Sequence, residues 1–531
     1  MRSLHFVVAF GVAGLLGHGG FAVAADVPVV TIRSAGFFPL REDAAYLAEL
    51  SGQEAVAPGL RLVELNSGNL HGLAEHDQSR PMAIVGLLPD QLQPLPIVAK
   101  KWVVVLPIKN FQPKERLEIE LSTQKGLAVA PQAKKIEEGL YRWQRPGKPD
   151  TFVRFMDDVA LLGEDRSLVD TLRPVAAELC VAGSCPTDLE VRWDHRQVPK
   201  AWRDFATGVA DGMQKSIPRG TEANNRYVKL VLDTARCLVS DCETLVLTLD
   251  LSRDDKRVEA QFRLTAKDGT TLADSMSFFS RSPNRYSGLT KPDALLNLLV
   301  SVRPSSDMKA LLKDMSPQFE IDEFKRLRKQ PGVSPEIRSA DEQYTQAKDD
   351  AIQSWITAGR IEAGVSIATQ DGKSLYRLGL YLPGSAELAP LVSDLIRQGS
   401  ALNSGLNADV GLVGRFAAHQ IGTGGVFCFR SEDVLHASGS AADSLVSSLV
   451  VADVEPPQNG ESPAVFIEGE LGAVVMNLSS LIRMPSVRLD SNATGGRIRF
   501  QVHRVNREVS ANLTLDEAAL QRLLKGFGSV P

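Results

Sequence analysis

The sequence predicts an α+β fold with antiparallel β-sheets and helices packed on one face, in two related halves joined by a charged helical connector. Two runs, 245–251 and 258–264, alternate between apolar and polar residues, with a short polar turn between them. This period of two is typical of a half-buried antiparallel hairpin. A similar strand, turn, strand, helix unit recurs later, where an Asp-Gly turn separates the runs 361–369 and 375–382.

The chain is 531 residues long, too long for one hydrophobic core, so several regions are expected. The patterning divides the chain into a signal peptide, an N-terminal α+β domain, a central α+β domain with the long hairpin, a helical connector and a C-terminal α+β domain. Their predicted boundaries are 1–24, 25–175, 176–312, 313–359 and 360–531.

The N-terminal domain contains a predicted helix over 42–50, which Gly52 ends. Two near-continuous apolar runs follow at 80–88 and 101–108. Runs of this kind predict central strands that are covered on both faces.

The central domain opens with an alternating strand over 188–194, after which Pro199 begins an amphipathic helix. The connector reads as two charged helices, 318–329 and 336–358. An interrupting Pro-Gly pair separates them.

The C-terminal domain repeats this logic, with strands predicted at 464–469 and 472–478. Asp516 is a predicted N-cap for the terminal helix 517–525.

The first residues predict export. A single arginine precedes an apolar run over 6–16, and an Ala-Val-Ala sequence before Ala25 is a small-residue cleavage site. The run is shorter than the ~20 residues that a membrane span needs. We therefore expect a periplasmic or extracellular protein with no transmembrane segment in the mature chain.

Export makes the cysteines interpretable. Cys180 and Cys185 share their C-x4-C spacing with Cys237 and Cys242. In an oxidising compartment such pairs usually form disulfides, either as two local loops or by cross-pairing. A zinc site made by all four cysteines and free thiols are the alternatives, although zinc knuckles prefer a C-x2-C spacing. Cys428 stands alone in an apolar strand, and its role stays open.

No motif assigns a catalytic, cofactor-binding or metal-binding residue. The chain has no nucleophile elbow, P-loop or dinucleotide fingerprint. Its net charge of −5 has mixed signs throughout, which argues against nucleic-acid binding. An enzyme would need a site assembled from distant segments, and the histidines that could contribute are His195, His419, His436 and His503.

Several stretches resemble large exported proteins, without assigned function, of planctomycete-type bacteria. The stretches that carry this resemblance are AAYLAELSGQ, HDQSRPMAIVGLL with WVVVLPIKNF, DLEVRWDHRQVPKAWRDF, CETLVLTLDLSRDDKRVEAQFRLTAKDGTTLA and YSGLTKPDALL. The resemblance extends to about residue 440 and implies export to a bacterial envelope. It carries over no site residues.

Together these observations favour a non-enzymatic envelope protein, either a binding module or a scaffold, whose partner is an unknown envelope protein or ligand. A ligand could occupy the sheet face that the helices leave free. The alternative is a periplasmic hydrolase in which a histidine meets carboxylates or hydroxyls from distant segments.

Overall fold

The structure is a computed structural model of the chain. The described residues are 27–53, 77, 79–88, 102–108, 132–144, 149–181, 183, 185, 187–216, 222–279, 284–306, 308–310, 335–370, 373–384, 410–413, 416–421, 425–429, 433–438, 463–474 and 495–528. The predicted signal peptide and the first connector helix lie outside the described residues. The backbone of Cys428 is described, but its side chain is not.

Within the described residues, twenty strands form one sheet. The strands are β1 Val27–Ser34, β2 Met82–Leu88, β3 Trp102–Pro107, β4 Gln132–Glu137, β5 Leu140–Gln144, β6 Thr151–Phe155, β7 Val159–Gly163, β8 Leu189–Asp194, β9 Cys242–Ser252, β10 Arg257–Ala266, β11 Leu296–Val302, β12 Ile361–Gln370, β13 Lys373–Tyr381, β14 Val410–Val413, β15 Phe416–Ile421, β16 Gly425–Phe429, β17 Asp433–Ser438, β18 Val465–Glu470, β19 Arg497–Val505 and β20 Glu508–Asp516.

Eight α-helices accompany the sheet in the described part of the chain. They are α1 Phe37–Leu50, α2 Arg166–Leu172, α3 Ala176–Leu179, α4 Lys200–Ser216, α5 Glu222–Asp241, α6 Thr271–Ser275, α7 Pro335–Ala358 and α8 Glu517–Gly528. The α+β class and the antiparallel sheet that the sequence predicts are therefore confirmed.

The sheet is antiparallel throughout. From one edge its order is β4-β5-β6-β7-β3-β2-β1-β8-β9-β10-β20-β19-β18-β11-β12-β13-β17-β16-β15-β14. The predicted region boundaries do not interrupt it, because β8 pairs with β1 and β20 pairs with β10.

The hairpin predicted from residues 245–264 is present as β9 and β10, with Leu249 opposite Ala260. The leucines of β9 define what we call the apolar face. The opposite, polar face carries a cross-strand row of polar side chains, namely Glu190, Thr248, Gln261, Asn512 and Gln501. The period of two thus gives the side chains that share each face. Burial does not follow the alternation, because Leu247 and Leu249 are 47% and 37% exposed whereas Thr248 on the polar face is buried.

Helices cover different faces in different parts of the sheet. On the apolar face, α1 and α8 pack through Leu50 and Leu520 against Leu251 and Val258. In contrast, α2 packs against β2, β3 and β7, on the side that strand pairing assigns to the polar face. Helices therefore contact both faces of the sheet, and the prediction that they pack on one face is not confirmed.

Local sequence signals explain several element ends. The Asp516 carboxylate accepts from the Ala519 backbone N–H at 2.8 Å, so the predicted N-cap of α8 is confirmed. The connector helix predicted over 336–358 is present as α7. Residues 471–474 are helical, so the strand predicted from residue 472 is wrong there.

Candidate functional site

The best-formed candidate site lies where one loop crosses the polar face of β11, β12 and β13. We call this loop, residues 284–294, the strap. Its first residue, Asn284, is buried. The Asn284 Nδ2 group donates to the Val300 carbonyl at 2.7 Å and to the Ala363 carbonyl at 3.1 Å, while Oδ1 accepts from the Tyr286 N–H. One side chain thus fixes the strap to two strands.

Tyr286 holds the middle of the strap against the sheet. Its ring and Cβ lie over two glycines, Gly364 on β12 and Gly379 on β13, which face each other across the strands. A Cβ at Gly364 would lie 2.4 Å from Tyr286 Cβ, and a Cβ at Gly379 would lie 2.3 Å from Tyr286 Cδ1. Only glycine allows this close approach.

Asn297 fixes the far end of the strap. Its Oδ1 accepts from the Lys291 N–H at 3.1 Å, and its Nδ2 donates to the Lys291 carbonyl at 2.6 Å. The Ser366 hydroxyl on β12 donates to the same Oδ1 at 2.9 Å. Since Asn297 is 1% exposed, these polar groups are satisfied inside the protein.

A buried ion-pair cluster of Glu362 with Arg285 and Arg360 lies beneath the first residues of the strap. Glu362 is fully buried, and its Oε2 accepts from Arg285 Nε at 3.1 Å and from Arg360 Nη2 at 2.6 Å. Both guanidinium groups also lie against the Tyr381 ring, at 4.4 and 4.8 Å from its centroid. Because the Ser301 hydroxyl donates to Glu362 Oε1, the carboxylate is satisfied on both oxygens.

Beyond Tyr286, the strap and the sheet enclose a pocket of about 260 Å³. Lys291 and Asp293 line it from the strap, and Ser366 and Arg377 line it from β12 and β13. Ser366 and Arg377 are cross-strand partners, so they share one face of the sheet. Thr369, Ala368 and Leu375 complete the lining, so the pocket is small and mixed in polarity. The contacts of Asn284, Tyr286 and Asn297 preorganise its walls.

A second cluster is a carboxyl pair under α1. Asp43 on α1 faces Asp188, whose Oδ2 accepts from the Leu251 N–H at 2.6 Å. Burial and then the Asp188 charge raise the pKa of Asp43 to about 6, and Arg253, with its Nε 3.4 Å from Asp43 Oδ1, opposes this shift. Burial likewise raises the pKa of Asp188. The pair can therefore share one proton in mildly acidic solution.

Of the four predicted histidines, His195 and His503 have described side chains, and these two lie apart in the sheet. His195 follows β8, and burial lowers its pKa to about 4, so it is neutral at pH 7. His503 lies on β19, four strands or about 19 Å across the sheet from β8. His419 and His436 lie on β15 and β17, and both are paired in register with Phe427. The side chains of these two lie outside the described residues.

The four disulfide candidates are free thiols in the structure. Cys180 Sγ approaches the Val105 carbonyl at 3.9 Å, and Cys242 Sγ approaches the Thr265 carbonyl at 3.7 Å. Burial raises the pKa of both thiols to about 12. Disulfide formation after export stays a prediction.

No group of three or more metal-ligating side chains converges in the part of the chain that the structure describes. Within the same residues, no helix has the length and hydropathy to cross a membrane.

Sequence reasoning did not find the strap or the carboxyl pair. The strap has a signal in retrospect, since Gly364 and Gly379 interrupt two otherwise well-patterned strands, and such glycines mark close backbone approach. Asp43 has no comparable signal, because it reads as an ordinary polar position of a helix.

Comparison with known proteins adds no family to these observations. No family model, no curated protein and no solved structure matches this chain.

Proposed function

We propose that this chain is a non-enzymatic binding protein of the bacterial envelope that holds a small ligand in the pocket between the strap and the sheet. The observation that carries the proposal is the strap itself. Three buried anchors, Asn284, Tyr286 and Asn297, fix a loop over a sheet face and leave at its end a pocket with both charged and apolar walls. Preformed concave sites with a few convergent polar groups are typical of ligand binding.

Export supports the envelope setting. The predicted signal peptide and the resemblance to exported planctomycete-type proteins both favour it. We also propose that the sheet combines two related halves, with α7 as the connector between β11 and β12. The recurrence of the strand, turn, strand unit on each side of α7 supports this organisation.

The test compares the wild-type chain with Gly379→Ala in a thermal-shift screen of small metabolites. The added methyl group would lie 2.3 Å from the Tyr286 ring and must displace the strap. We expect ligands that stabilise the wild-type protein to lose their effect on the variant. A ligand that stabilises both proteins equally would show that the strap pocket is not the binding site.

The alternative is a periplasmic hydrolase, and one observation favours it. Two facing carboxyls that share a proton, as Asp43 and Asp188 can, are one form of acid–base machinery. The hydrolase would cleave chromogenic ester or glycoside substrates near pH 5, and Asp43→Asn would abolish the cleavage. Cleavage that persists in Asp43→Asn would contradict this role for the pair.

A further inference from the structure

The contacts inside the strap pocket separate groups that build the wall from groups that face a ligand. Both polar atoms of the Asn297 amide are engaged with the Lys291 backbone, and the Ser366 proton is given to Asn297. These groups therefore hold the pocket together. The other residues that line the pocket are the charged Lys291, Arg377 and Asp293, together with Thr369, Ala368 and Leu375.

The charged side chains in the lining are two cations, Lys291 and Arg377, and one carboxylate, Asp293. Lys291 is exposed on the strap and forms no ion pair with another described residue. Arg377 lies in the sheet wall, and its guanidinium carries five N–H donors, so it can bind a ligand in addition to its contacts within the protein. Because Lys291 and Arg377 come from opposite walls, an anionic group between them would be bound from both sides.

The volume of the pocket and its single carboxylate, Asp293, limit the range of possible ligands further. A volume of about 260 Å³ lies at the small end for ligand pockets, which favours a small metabolite. Asp293 repels a second negative charge but accepts from an ammonium or hydroxyl group. The wall thus suits a molecule with an oxyanion at one end and a hydrogen-bond donor nearby.

Building on the proposed binding function, we infer that the ligand is a small monoanion or zwitterion whose carboxylate or phosphate group lies between Lys291 and Arg377. Its donor group is held by Asp293. Amino acids and hydroxy acids combine a carboxylate with such a donor group, and small phosphomonoesters combine a phosphate with one.

The test is isothermal titration of the full mature chain with four probes: L-alanine, L-lactate, inorganic phosphate and the cation choline. We expect binding of at least one of the three oxyanion probes and none of choline. Carboxylate and phosphate ligands are distinguished by which of the three probes binds.

Lys291→Met removes the charge but keeps the side-chain stem and the backbone contacts to Asn297. We expect it to weaken binding of the oxyanion by about tenfold to a hundredfold, the usual loss of a charge-assisted bond. Lys200→Met is the matched control, since Lys200 pairs with Asp204 on the surface of α4. It should leave the affinity unchanged.

The outcomes separate the two proposals. If choline or uncharged metabolites bind in the strap pocket and oxyanions do not, the ligand class is overturned and the binding function stands. If oxyanions bind equally well to the wild type and to Lys291→Met, the assigned position of the anion is wrong. If no probe and no screened metabolite binds, both the binding function and the ligand class fail.

Discussion

Substitution of Asp43 by asparagine should stabilise this protein near neutral pH. Asp43 is 7% exposed and faces Asp188, and its pKa is raised from 3.8 to about 6. Because the pKa in the folded state lies above that in the unfolded state, the group stabilises the fold below about pH 3.8. This contribution is lost as the pH rises through about 6. An asparagine amide can donate to Asp188 as the protonated acid does, but at every pH.

The size of the effect follows from the shift. A difference of about 2.2 pKa units corresponds to at most ~3 kcal/mol at 1.36 kcal/mol per unit. The Arg253 charge is already included in this pKa, and partial solvent access reduces the energy to about 1–2 kcal/mol. The stabilisation should be near its full value at pH 7.5 and close to zero at pH 4.

Hydrogen exchange of peptides from α1 is the most direct assay, because Asp43 docks this helix onto the sheet. We expect exchange in α1 to slow by about 5- to 30-fold in Asp43→Asn at pH 7.5, the equivalent of ~1–2 kcal/mol. Asp254→Asn, in the exposed β9–β10 turn, is the control and should have little effect. Faster exchange in Asp43→Asn, or an effect that does not change with pH, would refute this account of the carboxyl pair.

Three further predictions concern other parts of the fold. Glu362→Gln should lower the free energy of unfolding by about 2–4 kcal/mol in urea denaturation, because it leaves two guanidinium groups beside a neutral partner; an unchanged midpoint would contradict this. Gly379→Ala should lower the melting temperature, because overpacking against Tyr286 costs about 1–3 kcal/mol. Gly212→Ala is the control at a helical site with open space, and it should raise the free energy of unfolding by about 0.5–1 kcal/mol. Equal effects of the two substitutions would contradict the close contact between Tyr286 and Gly379. In the reduced native protein at pH 8, Cys242 should be alkylated about a thousandfold more slowly than in urea. The reason is that a pKa of about 12 leaves about one thiol in ten thousand as the reactive thiolate. Comparable rates in the two conditions would show that the thiol is not buried.

The local part of the fold could be predicted from the sequence, because each signal lies within a few residues. The alternation of 245–264 predicts the β9–β10 hairpin, and its faces are those observed. The partner of β10 on its other side could not be predicted in this way. It is β20, with Val258 opposite Leu515, more than two hundred residues away along the chain. The two apolar surfaces match equally well with other strands of the same period, so pattern alone does not select the pair.

The candidate site also depends on contacts between residues far apart in the sequence, which the sequence pattern does not predict. The strap depends on Asn284 reaching the Ala363 carbonyl and on Tyr286 lying over Gly364 and Gly379. These contacts cross about eighty residues of sequence that include α7. A single asparagine in an apolar strand has no assigned role until its partner is known. The structure supplies the partner, and the asparagine then explains why the strap keeps one conformation.

Strand register also decides a question that cysteine spacing leaves open. Asp188, three residues after Cys185, binds the Leu251 N–H, whereas Cys242 lies at the opposite end of β9, about 30 Å away at ~3.3 Å per residue. Three residues of chain span at most ~11 Å. Cys185 and Cys242 therefore stay at least ~15 Å apart, well beyond the ~7 Å limit for a disulfide. Cys180 contacts β3, which is four strands or about 19 Å from β9. Cross-pairing would thus require the sheet to separate, so the pairing that we expect on oxidation is the local one within each C-x4-C segment.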